Sequence, residues 1–200
     1  MSPVIPEFAR NGHLPPGRYK VTMEQVRERF VEDSRFKDSA TRLDRWDGLT
    51  KYLALWRAAE DRVAPILDGR SLIKSVWLGG SFISSKVDPG NVDLTVITDG
   101  AIVTECTNQG INERLAILKN RTKMKNAFAV APTVVAYRWF RSPWDLLRGD
   151  AQSLAAEREY GLWRGAMDDW WQRARPDGED KFEPTEETGQ WTRGYLEVVP

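Results

Sequence analysis

Two hundred residues amount to about one average domain, and 29 basic against 29 acidic side chains leave a formal charge of zero, which removes the global cationic field that sequence-independent capture of DNA, RNA or an anionic membrane requires. A hydrophobic content of 41% with nine Trp excludes wholesale disorder. Cys106 is the only cysteine and His13 the only histidine, so an intramolecular disulfide and a Cys/His zinc site are excluded, and Ser-His-Asp or Cys-His catalysis is disfavoured.

The first residues, Met1 to Gly17, carry Pro3, Pro6, Pro15 and Pro16 without helical or strand period, and residues 1–20 are expected to be an extended arm. Proline and charge stand where a signal peptide has an apolar stretch, and no apolar run approaches the ~20 residues of a membrane crossing, so a cytoplasmic protein without a membrane partner is expected. Thr22 and Gln25 have capping-box spacing ahead of Val26, Phe30 and Val31, a short amphipathic helix ending near Asp33. From about Ser39, the residues Leu43, Trp46, Leu49, Leu53 and Trp56 recur at three- and four-residue steps up to Pro65, the core face of a longer helix. After Asp68 and Gly69, Ile73 and Val76-Trp77-Leu78 read as a buried strand, and Asn91 to Thr98 as a second. Ile111, Leu115 and Leu118 mark a helix of about three turns, with basic residues at and beyond its end, followed by a β-rich stretch from Phe128 to Phe140 and a short helix opened by Ser142-Pro143. The remainder holds a Trp-rich piece (Trp163, Trp170, Trp171), an acidic stretch from Asp177 to Glu187 and a last apolar strand, Tyr195 to Val199.

The strongest local pattern is Val76-Trp77-Leu78-Gly79-Gly80-Ser81, a loop, then Asn91-Val92-Asp93-Leu94-Thr95-Val96. Glycines at a strand end let backbone N–H groups approach an anion, and the Ser81 hydroxyl can donate to a phosphate oxygen. The two-residue strand period puts Asn91, Asp93 and Thr95 on one face and Val92, Leu94 and Val96 on the other. A carboxylate beside a phosphate-binding turn suits Mg²⁺ with a nucleotide, because this cation takes oxygen ligands from one or two carboxylates plus phosphates. A plain glycine-serine hairpin beside an amphipathic strand is the alternative on spacing alone.

At these residues the sequence resembles the nucleotidyltransferase superfamily, with its polymerase-beta-like palm, and in particular a branch of small bacterial proteins of that fold. Gly80-Ser81 corresponds to the family's Gly-Ser element, and Asn91-Val92-Asp93 to its acidic pair, with Asp93 twelve positions after Ser81. The resemblance, carried by Ser75 to Thr98 and followed by the element order to about Phe140, implies an α/β (α+β) fold with a small mixed sheet and flanking helices; residues 21–150 are read as the nucleotidyltransferase-like domain with an N-terminal helical lead, and 151–200, outside what the resemblance explains, as a Trp-rich C-terminal extension on the same core. It implies Gly79, Gly80, Ser81 and Lys86 as contacts to an NTP, Asp93 as the metal ligand for Mg²⁺, and Asp93 with Asn91 as the catalytic pair. Relatives by fold include toxin components of toxin–antitoxin and phage-exclusion pairs.

Two departures bear on activity. Asn91 stands where the first acid is expected; an amide oxygen can ligate a metal but adds no negative charge. The later strand, Thr133 to Tyr137, supplies no third acid, the nearest downstream carboxylate being Asp145. Two readings therefore stand: an NTP-binding protein, with or without nucleotidyl transfer to an acceptor such as RNA, or a catalytically inactive module that binds a protein partner through its Trp-rich C-terminal part. Lys123, Lys125, Arg138, Arg141 and Arg148 could face a polyphosphate or RNA, with Trp139 and Phe140 stacking on a base, or form a solvated face over packed aromatics. Asp168 and Asp169 point about 100° apart on a helix and are read as surface charge rather than a joint metal site.

Overall fold

The computed structural model describes residues 5–148, 154–174, 185–187 and 189–198. Within the N-terminal stretch, Gly17–Val21 forms strand β1. Helix α1, Met23–Arg27, is entered through a reciprocal cap: Thr22 Oγ1 accepts from the Gln25 N–H and Gln25 Oε1 accepts from the Thr22 N–H. The chain continues as a π-helical turn, Glu28–Glu32, that buries Phe30, and a single 3₁₀ turn, Ser34–Phe36.

Helix α2 spans Arg42–Leu67 and buries Trp46, Leu49, Tyr52, Leu53 and Trp56. Leu43, expected on that stripe, is 59% exposed, because the helix begins at Arg42 and its first turn directs the Arg42 side chain inward instead. Pro65 does not stop the helix. It sits in the last turn, where only one backbone bond is forfeited, and Asp68 (φ 46°) with Gly69 (φ 75°) closes the end in left-handed conformation.

Strand β2, Ile73–Gly79, leads into a 3₁₀ turn, Ser81–Ile83, and then β3, Val92–Asp99. Three helices follow: α3, Gly100–Glu105, α4, Gln109–Lys119, and α5, Arg121–Phe128. Only α4 is legible as hydrophobic period. The flanking pair are short and announced by their caps, Asp99 and Asn120, whose side chains accept from N–H groups of the first turn. Strand β4, Val130–Tyr137, then precedes α6, Pro143–Arg148, α7, Ala155–Gln172, and β5, Gly194–Val198. The acidic stretch from Asp177 lies for the most part outside the described residues.

The five strands form one mixed sheet in the order β1-β5-β2-β3-β4. The last strand is inserted between β1, to which it runs parallel, and β2, to which it runs antiparallel, so both ends of the chain meet in the sheet. β2 and β3 are antiparallel, with Trp77 opposite Thr95 and Gly79 opposite Asp93. β4 lies parallel to β3 at the other edge, which accommodates Pro132 and its missing donor.

Strand alternation gives the sheet two unlike faces. One carries Val76, Leu78, Leu94 and Val96, all buried. The other carries Trp77, Gly79, Asp93, Thr95, Thr133 and Tyr195, and α7 lies on it, with the Trp171 indole over Gly79 and its Nε1–H donating to Thr95 Oγ1 at 2.9 Å. Helix α2, which also packs on β3 and β4 and against α4 and α5, therefore takes the aliphatic face. Each large apolar side chain fully buried there contributes about 1.5–3 kcal/mol. The fold is thus α+β, with helices on both faces of a five-stranded mixed sheet.

Candidate functional site

The site forms at the sheet end where β2 stops and β3 starts. Gly80 adopts φ 73°, ψ −159°, and a Cβ on it would lie 2.8 Å from Asp93 Oδ2. Only glycine lets the backbone lie against the carboxylate in this way. Gly79 has a second requirement: a Cβ there would meet the Trp171 ring at 2.2 Å. The structure thus brings Gly79, Gly80 and Asp93 into contact, with Ser81 opening the turn that follows.

The remaining expected residues are placed differently. Asn91 lies just before β3; its Nδ2 is buried and finds no acceptor among the described residues. Lys86 is exposed on the outer part of the loop, its N–H donating to Ser84 Oγ and its carbonyl accepting from Arg42. Asp145, on α6, pairs with Arg141 just before that helix. Trp139 and Trp144 are 71% and 62% exposed, whereas Phe140 packs on Tyr160.

Two arginines that sequence reasoning did not single out organise the site. Arg42 is 1% exposed, and its five N–H donors meet five carbonyls: those of Phe30, Phe82, Ser84, Lys86 and Val87, at 2.5–3.2 Å. Four of these belong to the loop joining the glycine turn to β3, so one buried guanidinium shapes that loop. Asp88 fastens the loop's far side, accepting from the Ser39 hydroxyl at 3.0 Å and the Ala40 N–H at 2.8 Å, and these bonds hold its carboxyl below the usual range. Arg121, the first residue of α5, donates to Asp93 Oδ1 at 2.8 Å and to the Ala131 carbonyl at 2.7 Å. The signals were indirect: Arg42 is a charge at the start of an apolar stripe, and Arg121 one cation of a basic run.

Helix α7 closes the rest of this face. Asp168 and Asp169 do not act as bare surface charges: Asp168 accepts from the Tyr195 hydroxyl, and Asp169 accepts from Trp191 Nε1–H at 2.8 Å and pairs with Arg173. Burial, with the Asp168 carboxylate beside it, pushes the Tyr195 hydroxyl well above its ordinary pKa. Arg164 and Arg18 lie over the Trp77 ring, 5.3 and 5.7 Å from its centroid. The Asp93 corner is open, with that side chain a quarter exposed and Arg121 half exposed.

Whether this corner suits Mg²⁺ follows from its donors. Asp93 is its single carboxylate, a guanidinium already neutralises it, and no group of three His, Cys, Asp or Glu able to hold a metal occurs among the described residues. These residues do not fit a resident divalent cation.

Fold and site together define an α+β protein with a glycine-serine turn set against one carboxylate on a largely covered sheet face. The chain belongs to a family of unknown function, DUF6932, whose model matches residues 6–198. No curated protein matches the chain, and no solved structure does. Among the described residues, no helix is long and apolar enough to cross a membrane.

Proposed function

We propose that this is a nucleotidyltransferase-fold protein that binds a nucleoside triphosphate where Gly80, Ser81 and Asp93 meet. The observation that carries this reading is the close approach of the Gly80 backbone to the Asp93 carboxylate, which joins a glycine turn and a charged strand residue into one mouth. Any Mg²⁺ would arrive with the phosphates of its nucleotide, and nucleotidyl transfer to RNA or another acceptor is the less supported half of the reading, because Asn91 and the acid-free β4 leave Asp93 alone. The test is thermal stabilisation by each of the four NTPs, with and without Mg²⁺, since a ligand bound only by the native state raises its stability by RT ln(1 + [L]/Kd). A saturable shift with at least one NTP is expected; none up to millimolar concentration would remove the nucleotide from the reading.

A second reading has its own observation. Trp139, Trp144, Leu147, Leu162 and Trp163 are exposed on and around α6 and α7, an apolar surface of the composition that protein partners use. On this reading the sheet is scaffold and the protein is an inactive, regulatory module of the toxin–antitoxin or phage-defence kind, and it is the account that a flat nucleotide titration would favour.

A further inference from the structure

The group at the mouth that neither reading uses is the Arg121 guanidinium. Two of its five N–H donors are committed, one to Asp93 Oδ1 and one to the Ala131 carbonyl, and half of its side-chain surface faces solvent. It is therefore held in place while keeping donors to offer, and a guanidinium stays protonated at any physiological pH. We propose that the mouth is an anion site that holds the polyphosphate of its nucleotide through Arg121 and needs no divalent cation.

The inference rests on the nucleotide reading above and concerns what holds the phosphates. In a cation-dependent site the carboxylate is the essential charge, and the metal bridges it to the phosphate oxygens. Here the position beside Asp93 is filled by a cation that the chain itself supplies, 2.8 Å away. A divalent ion would have to share the one carboxylate present with that guanidinium, with no second acid to offset the added positive charge. A phosphate makes no such demand, because the unused N–H groups of Arg121 can bond its oxygens in charge-assisted pairs while Asp93 keeps the guanidinium oriented. Two residues before Asp93, the Asn91 Nδ2 is a buried donor without an acceptor among the described residues. On this account Asp93 is a positioning residue, and its own charge opposes the ligand.

The two accounts predict opposite effects of Asp93, which gives the test. Calorimetric titration of the full chain in EDTA, using inorganic tripolyphosphate and each NTP, should show binding, with the difference between tripolyphosphate and NTPs separating a phosphate site from a nucleoside one. Arg121→Gln is expected to weaken binding about tenfold or more, the loss of a charged hydrogen-bond donor. Asp93→Asn is expected to bind more tightly than the unaltered chain, because it removes a negative charge that opposes the phosphates while an amide oxygen can still accept from Arg121. Binding that appears only with Mg²⁺ and is lost in Asp93→Asn would overturn the inference and leave the nucleotide reading standing. Unchanged affinity in Arg121→Gln would also overturn it. Absence of binding with and without Mg²⁺ would remove both. Should Arg121→Gln fail to fold, the sign of the Asp93→Asn effect still decides.

Discussion

Arg42 shows how much one side chain can determine. Its charge lies where water cannot solvate it, and its pairing with five carbonyls compensates for that desolvation. Lysine offers three donors in a different geometry, so Arg42→Lys strands at least two buried carbonyls, with an expected loss of about 3 kcal/mol or more. Urea unfolding measures this directly; a midpoint unchanged from the parent would show that the loop holds itself. The residue was invisible as a hub in sequence because its partners are backbone atoms, which carry no residue identity. Gly80 and Asp93 were visible for the opposite reason: glycine at a strand end and an acid near the start of an apolar strand are marked by composition.

Among the elements, α2 comes close to the end of α5. Gly48, inside α2, lies under the Phe128 carbonyl, and a Cβ there would stand 2.0 Å from that oxygen. Because the obstacle is backbone, no rotamer change relieves it. Gly48→Ala should therefore destabilise the fold by about 1–3 kcal/mol even though alanine is the better helix former. A variant as stable as its parent, by thermal or urea unfolding, would show that α2 and α5 can separate freely. The periodic stripe of α2 was legible to within a few residues, whereas α3 and α5 were not, since helices this short carry too few apolar positions to establish a period. The placement of α7 was equally hidden. Trp171 reads as one more tryptophan until the sheet puts Gly79 and Thr95 beneath it.

For the molecule as a whole, tyrosines whose burial disfavours ionisation bear on alkaline stability. Burial raises the hydroxyl pKa of Tyr19, Tyr52, Tyr160 and Tyr195 above their ordinary value of 10.0. An unfolded chain ionises these groups near that value while the folded chain resists, so their stabilising contribution is complete below it and is lost as pH rises toward the folded values. Stability followed by urea midpoints is expected to be steady from about pH 8 to pH 9 and to fall beyond about pH 10, in step with tyrosinate absorbance. A midpoint that stays level past the onset of tyrosinate formation would contradict this burial pattern.

Local chemistry alone determined the parts of this protein that are short-range. The capping box at Thr22, the apolar stripe from Trp46 to Trp56 and the two strands around Gly79-Gly80-Ser81 all follow from side-chain type and spacing over a few residues. Tertiary structure decided which groups face one another: the last strand between the first two in space, α7 over the polar sheet face, Arg42 inside the loop and Arg121 on Asp93. Those pairings join residues far apart in the chain, and what selects them is the burial of whole faces and the satisfaction of backbone polar groups. Both are properties of the packed molecule rather than of any window of its sequence.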